Sequence, residues 1–369
     1  METFCRDGNM LSEHGDILQR WKQYYFNLQS TNARYKELIP ENTILNNVEE
    51  VPPPTYYEVS QVIKKLKTHK AAGSDNIPAE LIKHGGTEIK WRIHKLRMKI
   101  WKEETLPTEQ TERIICPIYK KGDRMIYSNY RPITLLNVAY KIFTILINKR
   151  LSTIAERKLE DCQMGFWPNR STTDNIFIVR QIIEKCHEFN TELHNVFIEY
   201  TQAFDSVYRE KIIKCLNKHD IQSKLIKLIA KRLQDTNITV KVNRNYTEKC
   251  EMLMGVKRGD PLPATTFSTV IDEILKQVEL RGNNIATRLT QCSAYANNIW
   301  ITAWTKQTMR DTFEKLKNIS LQFAPIVNEN KTKYMKCTRK ETQLDRLAVG
   351  NIDWSGQIIQ LSWYNCEWK

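Results

Sequence analysis

The segment from Cys292 to Thr302 constrains the fold most, because it is typical of two short strands joined by a tight turn. The strand-like runs are Cys292 to Ala296 and Ile299 to Thr302. Between them, Asn297 and Asn298 tolerate the positive φ that such a turn requires. A connection this short joins antiparallel neighbours. The chain is therefore expected to contain an antiparallel sheet.

The rest of the chain shows a mixture of strand-like and helical patterns. Arg113 to Tyr119 resembles a strand and is followed by a turn at Lys120 to Asp123 that could lead into an antiparallel partner, while Asn195 to Tyr200 resembles a buried strand. Apolar residues at helical spacing predict helices over 12–29, 59–66, 89–100, 136–159, 171–189, 207–216 and 267–278. The alternation has no regular βαβ rhythm, which favours an α+β fold with helices packed on one face of an antiparallel sheet.

Three consecutive prolines, Pro52 to Pro54, interrupt the chain near its start. Proline fixes φ and has no backbone N–H, so the run forms a stiff extended connector that no helix crosses. It separates an N-terminal helical linker segment at 1–50 from a main body that starts near residue 56.

The charge and cysteine content narrow the function classes. The 56 Lys and Arg residues against 42 Asp and Glu give a net charge of +14, which favours a nucleic-acid partner, although a merely basic soluble protein remains the alternative. Nine scattered cysteines without a Cys-x-x-Cys pair predict neither a disulfide partner nor a zinc site. No apolar run approaches the ~18 residues of a membrane span. We therefore expect no membrane association and an intracellular protein, in the nucleus or cytoplasm.

Seven segments carry motifs that occur together in one family. They are Lys70 to Glu80 (similar to K-A-P-G-x-D-x-I-P-x-E), Pro117 to Ile133 (P-I-x-K-K-G-D followed by N-Y-R-P-I), Gln163 to Asp174 (Q-x-G-F-R-x-x-R-S-T-x-D), Ala203 to Val207 (the end of the first palm motif), Gly255 to Leu262 (G-V-x-Q-G-D-P-L), Tyr295 to Asn298 (at the place of Y-A-D-D) and Asn328 to Lys333 (N-x-x-K-T-K). In this order they resemble the reverse transcriptases of non-LTR (LINE-type) retrotransposons.

The resemblance implies a right-hand polymerase domain at 56–345, with fingers at about 56–190 and a palm at about 191–345. The palm would be an antiparallel sheet backed by helices, with a ferredoxin-like core. Residues 346–369 would be the remnant of a palm-thumb junction, with the thumb largely absent and the element truncated. The implied activity is RNA-directed DNA polymerisation with two Mg²⁺ ions, on an RNA template and a DNA primer, from deoxynucleoside triphosphates.

The positions implied to bind metal depart from the family pattern. Three aspartates of the family correspond to Glu199, Asn297 and Asn298 in this chain. Mg²⁺ requires anionic oxygen ligands in near-octahedral geometry, so a longer carboxylate and two neutral amides predict a degenerate site and an inactive copy. A weak Asn-ligated ion is the alternative. Lys331 corresponds to the lysine proposed to protonate the leaving pyrophosphate, a role suited to an ammonium close to phosphate oxygens.

The resemblance implies two further sets of residues. The nucleotide-binding set comprises Lys120, Lys121, Arg131, Phe204, Arg258 and Gly259. The nucleic-acid-binding set comprises Gln163, Gly165, Phe166, Arg170 and Tyr295. The alternatives are a solvated surface cation for Lys120, Lys121, Arg131 and Lys331, and core packing for the Tyr295 ring. Asp205 is expected to cap the following helix rather than to replace a lost ligand.

Three functional hypotheses follow from the sequence. The first is a decayed polymerase domain that is inactive, and the second is a non-enzymatic nucleic-acid-binding protein derived from the same domain. The third is an active polymerase with an unusual site. Primer extension separates the third hypothesis from the other two, and salt-dependent RNA binding distinguishes the second from the first.

Overall fold

The computed structural model describes residues 51–107, 112–234, 237–251, 254–256, 259–278 and 291–338, together with shorter stretches at 3–4, 10–11, 13–30, 346–349, 352–355 and 357–358. The chain forms two compact units, each built from two segments. The first unit comprises Met1–Ala155 with Phe204–Thr266, and the second comprises Glu156–Ala203 with Phe267–Lys369. The fingers and palm boundaries expected from the sequence stay predictions.

The described elements confirm an α+β chain. The strands are β1 Thr3–Phe4, β2 Met10–Leu11, β3 Arg113–Tyr119, β4 Tyr130–Leu135, β5 Leu193–Thr201, β6 Asn237–Val242, β7 Asn245–Tyr246, β8 Cys250–Glu251, β9 Cys292–Tyr295, β10 Asn298–Ala303, β11 Ile326–Val327, β12 Lys333–Cys337, β13 Arg346–Val349, β14 Ile352–Ser355 and β15 Gln357–Ile358. The helices are α1 His14–Ser30, α2 Tyr56–Lys64, α3 Ala79–His84, α4 Gly86–Glu103, α5 Val138–Lys158, α6 Thr172–Glu188, α7 Ala203–Ser206, α8 Arg209–Lys218, α9 Ser223–Leu233, α10 Leu262–Val278 and α11 Lys306–Phe323.

The first unit contains a mixed sheet in the order β4-β3-β6-β7, with β8 also paired to β6. β3 and β4 are antiparallel, as the sequence predicts, whereas β6 lies parallel to β3, with Arg113 opposite Ile238. Parallel neighbours need a long crossover, and the chain between β3 and β6 is long enough to provide it. Helix α1 packs on this sheet through Trp21, whose ring centroid lies 4.5 Å from that of Tyr127.

The second unit is built around β5, the central strand of a sheet in the order β15-β12-β5-β10-β9. β5 is antiparallel to both β10 and β12, and β11 pairs with its end. Helix α11 packs against β5 through a 2.7 Å hydrogen bond between the hydroxyls of Tyr200 and Ser320. The last residues of β5 are therefore held in fixed register with β10 and β11.

Two expectations from composition concern membrane segments and cysteines. None of the described helices combines the length and the apolar character that a membrane span needs. The cysteines of the described residues carry free thiols. Burial raises the pKa of the Cys337 thiol to about 12, with a further contribution from Cys186.

Candidate functional site

The hairpin of the second unit makes its turn at Ala296 and Asn297. Tyr295 of β9 pairs with Asn298 of β10, so Asn298 is the first residue of a strand. The positive φ of the turn, 58°, belongs to Ala296. The expectation that Asn297 and Asn298 form the turn was therefore wrong by one residue. The reason is register, because Asn298 is held in the sheet by its pairing on both sides.

The register brings the three predicted metal positions together. Asn298 lies directly opposite Glu199 in the β10-β5 pair, so both side chains point to the same face of the sheet, with Cβ atoms about 4.5–5.5 Å apart. Glu199 is half-buried and Asn298 is exposed. Asn297 lies next to them, and its carbonyl accepts a 3.4 Å hydrogen bond from the backbone N–H of Tyr200.

Lys331 completes this cluster from the turn that precedes β12. Its ammonium Nζ donates to Glu199 Oε1 at 2.5 Å. The backbone fixes this approach, since Asn328 donates its N–H to the carbonyl of Glu199 at 2.7 Å and Lys331 donates its N–H to the carbonyl of Asn328 at 3.1 Å. The single carboxylate among the three predicted metal positions is therefore neutralised by a lysine.

This donor set does not fit a pair of Mg²⁺ ions. Reverse transcriptases generally use Mg²⁺, which is a hard cation that takes carboxylate oxygens in near-octahedral geometry. Glu199 offers one carboxylate that already pairs with an ammonium, and Asn297 and Asn298 offer neutral amides. Within the described ranges, no three His, Cys, Asp or Glu side chains converge as a metal-binding group.

Two residues of the predicted nucleic-acid-binding set support the hairpin from behind. The segment that contains them pairs with β9, where Met164 N–H donates to the Ala294 carbonyl at 2.8 Å. Gly165 lies so close to the turn that a Cβ at this position would be 2.1 Å from the backbone nitrogen of Ala296. Gln163 is fully buried, and its Oε1 accepts a 3.0 Å hydrogen bond from Gly165 N–H. Both residues therefore position the turn.

The other members of that set differ in how much of their surface is available. Phe166 is 51% exposed, and Tyr295 is half-buried beside the turn. Arg170 donates to the Asp161 carboxylate at 2.5 Å, and its guanidinium lies 4.5 Å from the centroid of the Trp167 ring. The charge of Arg170 is therefore partly used within its own loop.

The basic residues of the nucleotide-binding set lie in the first unit, around the β3-β4 connection. Lys120, Lys121 and Arg131 are exposed. Arg131 lies opposite Ile118 in the register of the two strands, and Lys120 N–H donates to the Asn129 carbonyl at 2.9 Å. An exposed guanidinium and two ammonium groups on a strand pair can bind phosphate oxygens.

The three remaining members of the nucleotide-binding set, Phe204, Arg258 and Gly259, are not part of the β3-β4 connection. Phe204 is half-buried in α7, and its carbonyl accepts a 2.7 Å hydrogen bond from Val256 N–H. Gly259 has a φ of 104°, which favours glycine. Arg258 lies outside the described residues. The prediction that Asp205 caps the following helix was wrong, because Asp205 lies inside α7 and α8 has Tyr208 as its N-cap.

Sequence reasoning missed a buried ion pair behind the G-D-P-L segment of the first unit. Asp260 Oδ2 accepts hydrogen bonds from Arg232 Nε at 3.0 Å and from the Tyr140 hydroxyl at 3.3 Å, while Asp260 Oδ1 accepts from Leu262 N–H. Burial alone would lower the pKa of Arg232, but the Asp260 carboxylate, with the Tyr140 hydroxyl, raises it. The pair therefore holds the segment after Gly259 in place. Its sequence signal was weak, because Arg232 resembles any basic residue in the last turn of a helix.

Comparison with known proteins identifies the family. A family model described as reverse transcriptase (RNA-dependent DNA polymerase) matches residues 118–358. A Transposon TX1 protein of 149 kDa from Xenopus laevis is 24% identical over 97% of this chain and 28% of its own length. A Pol polyprotein of the type-1 retrotransposable element R2 from Popillia japonica is 29% identical over 66% of this chain and 34% of its own length.

The chain spans about a third or less of the length of these relatives. A solved structure of telomerase from Candida tropicalis, in complex with a fragment of telomeric RNA, has a TM-score of 0.49 at 12% identity, over 70% of this chain and 47% of that one. The family match over most of the chain and the retrotransposon relatives lead to one conclusion. This chain belongs to the reverse transcriptase (RNA-dependent DNA polymerase) family, and its relatives are proteins of non-LTR retrotransposons.

Proposed function

We propose that this chain is an RNA-directed DNA polymerase domain by ancestry and that it does not catalyse nucleotidyl transfer. The ion pair between Lys331 and Glu199 is the observation that carries the proposal. Glu199 on β5 is the one charged residue among the three predicted metal positions, and the ammonium of Lys331 neutralises it. Its neighbour across the strand pair, Asn298, is uncharged.

The energetic argument rests on charge. Two metal ions stabilise the entering and leaving oxygens of an in-line displacement, and each metal contribution is worth several kcal/mol of barrier. Replacing two aspartates by asparagines removes two negative charges that would hold those ions. A loss of several kcal/mol corresponds to several powers of ten in rate.

Primer extension on an RNA template, with Mg²⁺ and separately with Mn²⁺, tests the proposal. We compare the unmodified chain with a triple variant that carries Glu199→Asp, Asn297→Asp and Asn298→Asp. Only the triple variant is expected to extend the primer, because it restores three carboxylates and shortens the arm that reaches Lys331. A double variant, Asn297→Asp with Asn298→Asp, keeps Glu199. The difference in extension rate between the double and triple variants measures the effect of the longer Glu199 side chain.

A matched control adds the same two negative charges elsewhere in the second unit. Asn190 and Asn318 are exposed, so Asn190→Asp with Asn318→Asp changes net charge without touching the hairpin. This control is not expected to extend the primer. Extension by the unmodified chain contradicts the proposed inactivity. If the triple variant does not extend the primer, the missing carboxylates are not the sole cause of the inactivity.

We further propose that the chain binds nucleic acid, with an RNA template and a DNA primer as partners and deoxynucleoside triphosphates as the small ligand. The exposed cations Lys120, Lys121 and Arg131 favour this function, because phosphate binding by side chains needs no metal ion. The slope of log affinity for single-stranded RNA against log salt is expected to weaken by about 2 when all three become glutamine. An unchanged slope would contradict this assignment.

A further inference from the structure

The outer face of helix α4 in the first unit carries a row of cations and one aromatic ring that none of the family motifs includes. The opposite face supplies the core, where Ile93, Ile100 and Trp101 are all buried. The exposed residues lie on one side because they recur at three- and four-residue spacing. We call this side the α4 outer face, and its members are Trp91, Arg92, Lys95, Met98, Lys99 and Lys102.

Trp91 is the unusual member of this face, because a large aromatic ring is 44% exposed. The Lys95 ammonium lies 3.7 Å from the centroid of the Trp91 ring. A cation at this distance interacts favourably with an indole and holds it in one orientation. An exposed ring with a cation against one side can accept a planar group on the other.

The charges of the face are only partly compensated. Arg92 pairs with Glu88 at 2.7 Å. Among the described residues, no acidic side chain pairs with Lys95, Lys99 or Lys102. Glu103 lies beside the last of them and reduces the net charge. The row from Trp91 to Lys102 extends over roughly 16 Å of helix, which is the length of several nucleotides of a strand.

We propose that the α4 outer face binds a single-stranded nucleic acid, with Trp91 stacking on an unpaired base and the three lysines contacting successive phosphates. This inference rests on the proposed nucleic-acid binding and adds a contact surface outside the β3-β4 connection. Charge complementarity selects a polyanion, and the exposed ring selects unpaired bases over a closed duplex. An anionic membrane fits less well, because the apolar face of α4 is buried in the core and the helix has no second apolar face to insert into a bilayer.

Fluorescence anisotropy of the full chain with a labelled, unstructured oligouridylate RNA tests this surface. Trp91→Ala is expected to weaken binding by on the order of 10-fold at fixed salt, while Trp91→Phe keeps most of the affinity. Lys95→Gln, Lys99→Gln and Lys102→Gln together are expected to reduce the salt slope by about 2. A control triple removes exposed lysines of other helices: Lys149→Gln, Lys231→Gln and Lys315→Gln. All variants alter exposed positions, and their thermal unfolding is compared to verify folding.

The outcomes separate this inference from the proposed function. If the chain binds RNA and loses affinity with Lys120→Gln and Arg131→Gln, but the α4 variants behave like the control triple, the α4 surface is refuted and the function stands. If the unmodified chain shows no RNA binding, both are refuted. Sedimentation with phosphatidylserine-phosphatidylcholine vesicles provides the last arm. Loss of vesicle binding in the α4 variants, with RNA binding intact, would refute the nucleic-acid assignment.

Discussion

The hairpin of the second unit and the Asp260 ion pair of the first unit differ in the residues at their acidic motif positions. At the hairpin, Asn297 is half-buried and Asn298 is exposed, and the resemblance assigns both to positions of family aspartates. Behind the G-D-P-L segment, Asp260 is retained, and its side chain is fully buried against Arg232. Both regions belong to motifs of the same family, so motif membership alone does not explain the difference.

Burial explains it. At an exposed position such as Asn298, the first residue of β10, a change from aspartate to asparagine alters the free energy of unfolding by no more than about 0.5 kcal/mol. Loss of one partner from a buried ion pair costs about 3–5 kcal/mol, a large part of a typical total of 5–15 kcal/mol. A change at the exposed position of the hairpin is therefore expected to cost little stability, whereas a change of Asp260 is expected to cost a large part of it.

The largest expected effect is that of Asp260→Asn, which should lower the free energy of unfolding by about 3–5 kcal/mol. The substitution keeps the side-chain shape and an oxygen for Leu262 N–H, but it leaves Arg232 as a buried charge without its counterion. Urea unfolding followed by circular dichroism measures the effect.

The matched change at the hairpin is Asn298→Ala, for which we expect a change within about 0.5 kcal/mol. The double variant Asp260→Asn with Arg232→Met should recover part of the loss, because it removes the buried charge as well. Equal effects of Asp260→Asn and Asn298→Ala would break the comparison between the two regions.

Gly165→Ala should lower the free energy of unfolding by about 1–3 kcal/mol, because the new methyl group would overlap the backbone nitrogen of Ala296 and force the turn to move. Gly15→Ala is the matched control, since a Cβ there meets nothing within 4 Å. In helix α1 that change should stabilise by about 0.5–1 kcal/mol. Unfolding curves test both substitutions, and hydrogen exchange at Met164 N–H reports on the first. A change of stability in the same direction for both would argue against close packing of Gly165 on the turn.

The sequence predicted those elements whose signal is local. β3 was expected at Arg113 to Tyr119 and has those bounds, and the β9-β10 hairpin was expected in the right place. Helix α11 and strand β12 were not predicted, although both carry usable patterns. The parallel pairing of β3 with β6 could not be predicted, because the sequence of a strand does not indicate which distant strand it pairs with or in which register.

The candidate site shows the same limit. The resemblance to the family implied that Glu199, Asn297 and Asn298 form one group, and the register of β5 and β10 places Asn298 opposite Glu199, with Asn297 adjacent. The resemblance implied that Lys331 belongs to the same site, but it did not indicate the salt bridge from Lys331 to Glu199, which joins residues 132 positions apart. The one-residue error at the turn has a related cause, because asparagine favours positive φ in general, while pairing decided which residue takes it.

Ala296→Gly is expected to raise the free energy of unfolding by about 0.5–1 kcal/mol. A positive φ costs a residue with a Cβ roughly 1–2 kcal/mol, and the added freedom of glycine in the unfolded chain offsets part of the gain. Ala294→Gly, in the neighbouring strand, should destabilise instead. A loss of stability from Ala296→Gly would show that the methyl group contributes more through packing than the backbone costs.

The smallest expected effect tests a charge pair of intermediate burial in the first unit, Glu58 with Arg150. Burial raises the pKa of the Glu58 carboxyl, but hydrogen bonds from Thr55 and the charge of Arg150 outweigh it, so the pKa is lowered overall. The carboxylate therefore contributes stability that is complete above its ordinary pKa and is lost as the pH falls through the lowered value. Glu58→Gln should cost about 0.5 kcal/mol at neutral pH and nothing in strong acid. Urea unfolding at both pH values measures this convergence, and Arg150→Gln in the same cycle assigns it to the pair. A difference that persists in acid would mean that Glu58 acts through shape, and the loss of stability would then not follow the burial of the charge at Asp260 and Glu58.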